Sequence, residues 1–161
     1  PAEGKCSIPP PPALKNVYFG IRHGHSVNNL EELISSSPPV GTSMHPLTEQ
    51  GVNQAREAGR VLAEELRRLE ETGKTRRVVA YTSDFVRAKQ TAEESIATSG
   101  RAISLVARKE LRERWFGELD NTIVSNYNLV WPCDMKDARS DSGYGCESVE
   151  EVVRRLQGMM E

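Results

Sequence analysis

Ile21-Arg22-His23-Gly24-His25-Ser26-Val27-Asn28-Asn29 follows directly on the apolar run Val17–Ile21, and how this junction is read decides the fold. A short apolar run closed by polar and glycine residues is consistent with a buried strand of a parallel sheet. A histidine at the end of such a strand faces solvent and chemistry. Around His23 stand the other parts that a phosphoryl group needs: the Arg22 guanidinium for bidentate contact with phosphate oxygens, the flexible Gly24, and amide and hydroxyl donors. The junction therefore points to a phosphate-transferring site with His23 as nucleophile.

Working outward, the chain alternates strand and helix patterns. From Thr48, a plausible N-cap, Ala55, Ala58, Val61, Leu62, Leu66 and Leu69 recur at helical spacing until Gly73, which predicts an amphipathic helix over residues 49–71. Arg77 to Thr82, with Val78, Val79, Ala80 and Tyr81, reads as a second buried strand, with Ser83 or Asp84 able to cap a helix that runs to about Ser99 and ends at Gly100. Ile103–Val106 reads as a third strand. Ser148 with Glu151 forms a capping box for a last helix, after a long stretch read as irregular. Ser35–Gly41 is a loop by composition, placed beside the proposed site. This alternation predicts a three-layer α/β/α sandwich with a mainly parallel sheet. Ligands of such sheets bind at the carboxyl ends of strands, where His23, Ser83 and Arg87 would all fall.

Composition narrows the functions. The chain has 161 residues, enough for one domain with a sizeable core, and residues 1–15, with Pro9 to Pro12 in a row, read as an extended leader before a domain at 16–161. A net charge of −2 argues against nucleic-acid or anionic-membrane partners held by bulk electrostatics. No apolar run reaches the roughly 18 residues of a membrane span, and no signal-peptide layout opens the chain. Cys6, Cys133 and Cys146 fit no zinc spacing and no disulfide framework, so free thiols and a cytoplasmic location are expected.

Five ordered segments resemble the histidine phosphatase superfamily, the phosphoglycerate mutase-like family. Arg22-His23-Gly24 with Ser26 and Asn29 is similar to its phosphate-binding signature, and Leu47, Thr48, Gly51, Gln54 and Ala55 to its following helix start. Thr82, Ser83, Arg87, Ala88, Gln90, Thr91 and Ala92 resemble its second strand-to-helix turn. Leu111, Arg112, Glu113, Phe116 and Gly117 resemble its acid-bearing loop, and Gly145 to Ser148 the entry to a late helix. The resemblance implies that His23 forms a phosphohistidine, that Arg22 and Arg87 clamp the phosphoryl group with Asn29 and Ser83 as further donors, and that Glu113 is the general acid. It implies no cofactor and no metal, and a small phosphorylated substrate.

Departures from the family pattern bear on specificity. His25 stands where the family commonly has an acidic or amide residue, which leaves its role open. Trp115 follows Arg114 where sugar-phosphate mutases carry a histidine, and the loop from Leu30 to Pro46 is longer than theirs, so a phosphomonoesterase is expected ahead of a mutase-type phosphotransferase. The family's second catalytic histidine lies on a strand after the last helix, whereas the histidines here are His23, His25 and His45, so the domain reads as lacking its C-terminal part. On that reading a catalytically impaired phospho-ligand binding module is the non-enzymatic alternative, and an unpaired sheet edge favours a homodimer. His23-Gly24-His25 could also bind zinc, but only His45 remains as a further histidine ligand.

Overall fold

Thr48 sets the frame of the cavity-bearing half of the molecule. The computed structural model describes residues 16–73 and 77–160, so the proline leader and Cys6 lie outside the described residues. These described residues form two compact units: one within Gly20–Glu31 and Pro38–Arg112, the other of residues 16–19, Glu32–Ser37 and residues 113–160.

The first unit begins with two short helical turns, α1 (Val27–Leu30) and α2 (Pro38–Gly41), followed by the long helix α3 (Glu49–Glu71). Thr48 caps α3 as expected, accepting from the Gly51 amide at 3.2 Å, and the helix ends at Thr72 before Gly73 in the left-handed region at φ +75. Then come β1 (Val79–Thr82), α4 (Val86–Ser99) and β2 (Ser104–Ala107). The two strands pair in parallel, Val79 opposite Ser104 and Thr82 opposite Ala107, with α4 as the crossover that parallel pairing requires. Gly100 closes α4 at φ +64, the αL position glycine adopts most easily.

Helices α3 and α4 pack at backbone distance. A β-carbon on Gly59 would lie 2.4 Å from the Ser95 carbonyl oxygen, and the Ser95 hydroxyl donates to the Ala55 carbonyl at 2.8 Å. Ala55 and Leu66 of the apolar stripe read from the sequence are buried, at 1% and 6% exposed, whereas Val61 is 52% exposed.

The second unit carries α5 (Tyr127–Asp134) and α6 (Val149–Met160) and has a core of Ile34, Phe116, Leu119, Val130 and Cys146, with Tyr127 and Tyr144 packed against it. Asp120 accepts from the Ser36 amide at 2.6 Å, the Ser36 hydroxyl at 2.7 Å and the Ser37 amide at 3.0 Å, which ties Glu32–Ser37 into this unit. Ser148 and Glu151 form the expected capping box: the Glu151 carboxylate accepts from the Ser148 amide at 2.7 Å and the Glu151 amide donates back at 3.2 Å. Burial pushes the Cys146 thiol above its usual range, and Cys146 and Cys133 are both free.

The parallel α/β reading is borne out, with local corrections. Val17–Ile21 joins no ladder among the described residues, and Val17, Tyr18, Phe19 and Ile21 are 45% to 56% exposed. Apolar composition suits a strand, but only a paired neighbour makes one. Neither Ser83 nor Asp84 caps α4: the helix starts after Phe85, the Ser83 hydroxyl accepts from the Phe85 amide at 3.2 Å, and Asp84 is held by Arg112. Ser35–Gly41 is divided between the units, and its Pro38–Gly41 part is helical because proline fits the first position of a helix. Helix α5 occupies part of the stretch read as irregular, with Pro132 inside it.

Candidate active site

The loop from Arg22 to Ser26 is held in the first unit by the start of α3 on one side and the middle of α4 on the other. Thr48 makes the first attachment: its amide and hydroxyl donate to the His25 carbonyl at 2.9 and 3.1 Å. The Thr48 hydroxyl oxygen also lies 3.0 Å from His25 Nδ1, in hydrogen-bond contact. Gln54, on the next turn of α3, accepts from the His25 amide at 2.8 Å.

Approach this close needs glycine on both sides. A β-carbon on Gly24 would sit 2.4 Å from the Gly51 carbonyl oxygen, and one on Gly51 would sit 2.0 Å from that of His25. From α4, the Thr91 hydroxyl accepts from the Gly24 amide at 3.0 Å and donates to the Arg87 carbonyl at 2.7 Å.

The result is a cavity of about 540 Å³ lined by Arg22, His23, Gly24, His25, Asn29, Gln54, Ala55, Ala58 and Thr91. His23 is half-buried, and its Nδ1 lies 2.8 Å from the Gly24 carbonyl oxygen. A carbonyl can only accept, so Nδ1 carries the proton and neutral His23 holds its lone pair on Nε2. Asn29 is fixed by accepting from the Ser26 amide at 3.1 Å and the Ser26 hydroxyl at 2.8 Å. With Oδ1 so used, its NH₂ end is the one able to serve an anion.

The expected site residues separate into three groups. Arg22, His23 and Asn29 line one cavity. Arg87 and Ser83 are buried in the same unit but are not among its lining residues; Arg87 joins the loop through Thr91, and its guanidinium carbon lies 5.1 Å from the Phe85 ring centroid. Glu113 belongs to the other unit, is exposed, and accepts from the Arg114 amide at 3.0 Å. The bordering arginines are each committed: Arg112 to Asp84 at 2.7 and 2.6 Å, Arg114 to Asp134 at 2.5 and 2.9 Å. His45 is buried with its Nε2 3.9 Å from Glu31 and is not a lining residue. Gln54 and Thr91 had no assigned role in the sequence reading, although both stand in the segments that resemble the family. Among the described residues no three metal-ligating side chains cluster, and no helix is long and apolar enough to cross a membrane.

The family model of the histidine phosphatase superfamily, branch 1, matches residues 18–161. The chain belongs to this superfamily. Two curated relatives are similar to it, both 2,3-bisphosphoglycerate-dependent phosphoglycerate mutases. That of Xanthobacter autotrophicus is 33% identical over 84% of this chain and 61% of its own length. That of Azorhizobium caulinodans is 35% identical over 62% of this chain and 42% of its own. This histidine phosphatase chain thus spans less than two thirds of the relatives it matches. A mycobacterial glucosyl-3-phosphoglycerate phosphatase has the same fold at a TM-score of 0.61 and 20% identity, over 86% of this chain and 58% of that one.

Proposed function

We propose that this chain carries the phosphoryl-binding site of a phosphomonoesterase that works through a phosphohistidine on His23. The supporting observation is the His23 Nδ1–H bond to the Gly24 carbonyl at 2.8 Å, which makes Nε2 the lone-pair nitrogen of the neutral ring, in a residue that lines a cavity with Arg22. In the first step Nε2 attacks phosphorus, the P–N bond forms and the P–O ester bond breaks, and the leaving alkoxide takes a proton from an acid. In the second step water attacks, its proton passes to the same group, and the P–N bond breaks to release phosphate. Glu113 is the proposed acid and base, on the resemblance of Leu111–Gly117 to the family's acid-bearing loop. Arg22 and Arg87 are the proposed clamp and Asn29 and Ser83 further donors, since phosphoryl transfer depends chiefly on positioning and electrostatic stabilisation.

A mutase-type transfer is the second reading, favoured by the two phosphoglycerate mutases among the relatives. One experiment addresses both. Acid-sensitive trapping with ³²P-labelled phosphate ester should place label on His23, and His23→Ala should abolish it. Label retained in His23→Ala would refute the nucleophile assignment. Release of inorganic phosphate from the adduct supports the phosphatase, and delivery to 3-phosphoglycerate supports the mutase.

A further inference from the structure

Phe85 is 1% exposed and sits at the turn between β1 and α4, two residues ahead of Arg87. Its backbone is extended at φ −67 and ψ 136, its carbonyl accepts from the Ala88 and Lys89 amides, and its own amide is held by the Ser83 hydroxyl. Its ring is fixed as firmly as its backbone: a β-carbon on Gly41 would come within 2.6 Å of the ring carbons, so only glycine lets the ring occupy this place. Two guanidiniums lie over that ring, Arg87 at 5.1 Å and Arg112 at 5.9 Å from the centroid. Arg112 is held by its two bonds to Asp84, and Arg87 is 3% exposed, its backbone carbonyl accepting from the Thr91 hydroxyl that also holds the loop of His23.

We infer that Phe85 is a positioning residue for Arg87, its ring acting as the platform that fixes where the guanidinium fork sits. This rests on the reading of Arg87 as a phosphate clamp. A desolvated aromatic face attracts a guanidinium through its quadrupole and restricts the rotation of a long side chain, so the fork is ordered before the anion arrives. Ser83 acts here through Phe85, as the acceptor that fixes its amide.

The test uses orthovanadate binding to the full chain, measured for the unmodified protein, Phe85→Leu, Arg87→Lys and the double variant. Phe85→Leu is expected to weaken vanadate binding about tenfold, in line with a desolvated cation–π contact. In the Arg87→Lys background the same change is expected to cost less than twofold, because the fork it positions is gone. Trifluorophenylalanine at position 85 keeps the ring's shape but withdraws its π density, and an intermediate loss there is expected; this arm decides the matter if Phe85→Leu does not fold. Vanadate affinity unchanged by either alteration, or equal losses in both backgrounds, overturns the positioning role. If Arg87→Lys leaves vanadate binding intact, or the unmodified protein does not bind it, the clamp reading itself fails and takes this inference with it.

Discussion

The Thr91 hydroxyl accepts a hydrogen bond from the Gly24 amide at 3.0 Å, across 67 positions of sequence, and donates one to the Arg87 carbonyl at 2.7 Å. One oxygen thereby sets both the loop of the proposed nucleophile and the helix turn of the proposed clamp. Thr91 is 4% exposed, so Thr91→Val keeps the shape but leaves the Gly24 N–H unsatisfied. That should cost about 1–3 kcal/mol in denaturant unfolding. Vanadate affinity should fall in parallel while Thr91→Ser stays near the unmodified protein. A Val variant as stable as the parent would show that this bond positions nothing.

Gly51→Ala tests the contact between loop and helix. The new β-carbon would be placed 2.0 Å from the His25 carbonyl oxygen, and the obstacle is backbone, which cannot rotate away. The loop must move or the α3 start must unwind, with an expected loss of more than about 3 kcal/mol. Circular dichroism through a urea series measures it, and a loss under 1 kcal/mol would contradict the close approach.

Glu113→Gln should separate two substrates. A carboxamide cannot protonate an alkoxide, so turnover of an alkyl phosphate should fall about 10²-fold or more, while nitrophenyl phosphate, whose leaving group is stable as an anion, should lose far less. Equal losses would assign Glu113 a structural role through its bond to the Arg114 amide.

Acid stability should depend on Asp84. The Arg112 guanidinium holds its carboxyl below the usual carboxylate range, chiefly by hydrogen bonding and also by charge, against an opposing effect of burial. A depressed folded-state pKa contributes stability that is complete above the unfolded value of about 3.9 and lost as pH falls through the folded value. Asp84→Asn removes this contribution, so its stability deficit should be constant near neutrality and shrink as the pH is lowered below about 4. Urea midpoints across that range give the curve; a deficit that grows on acidification would reverse the assigned sign.

What could be read from sequence was what neighbours along the chain determine. Thr48 with Gly73 bounded α3 correctly, and Ser148 with Glu151 marked α6, because caps are local chemistry. Arg22, His23 and Asn29 came out on one cavity because they share one loop. The failures are all long-range or mixed signals. Val17–Ile21 has the composition of a strand, but pairing decides strandhood; α5 was hidden by Pro132; and Thr91 and Gln54 stand in family-like segments, but their bonds to the loop join elements distant in sequence.

Tyr127 and Trp131 stack in α5 with centroids 5.4 Å apart, and Trp115 belongs to the same unit, so both tryptophans of the chain report on Glu113–Glu161. The unit that holds the cavity contains none. Emission excited selectively at tryptophan is therefore a one-sided probe that follows the α5–α6 unit, Tyr81 being a tyrosine of the cavity unit. Far-ultraviolet ellipticity is dominated by α3 and α4 and follows the other side. Superimposable transitions from the two signals would establish a single cooperative unit, and separated ones would time the two melts independently without any label being introduced.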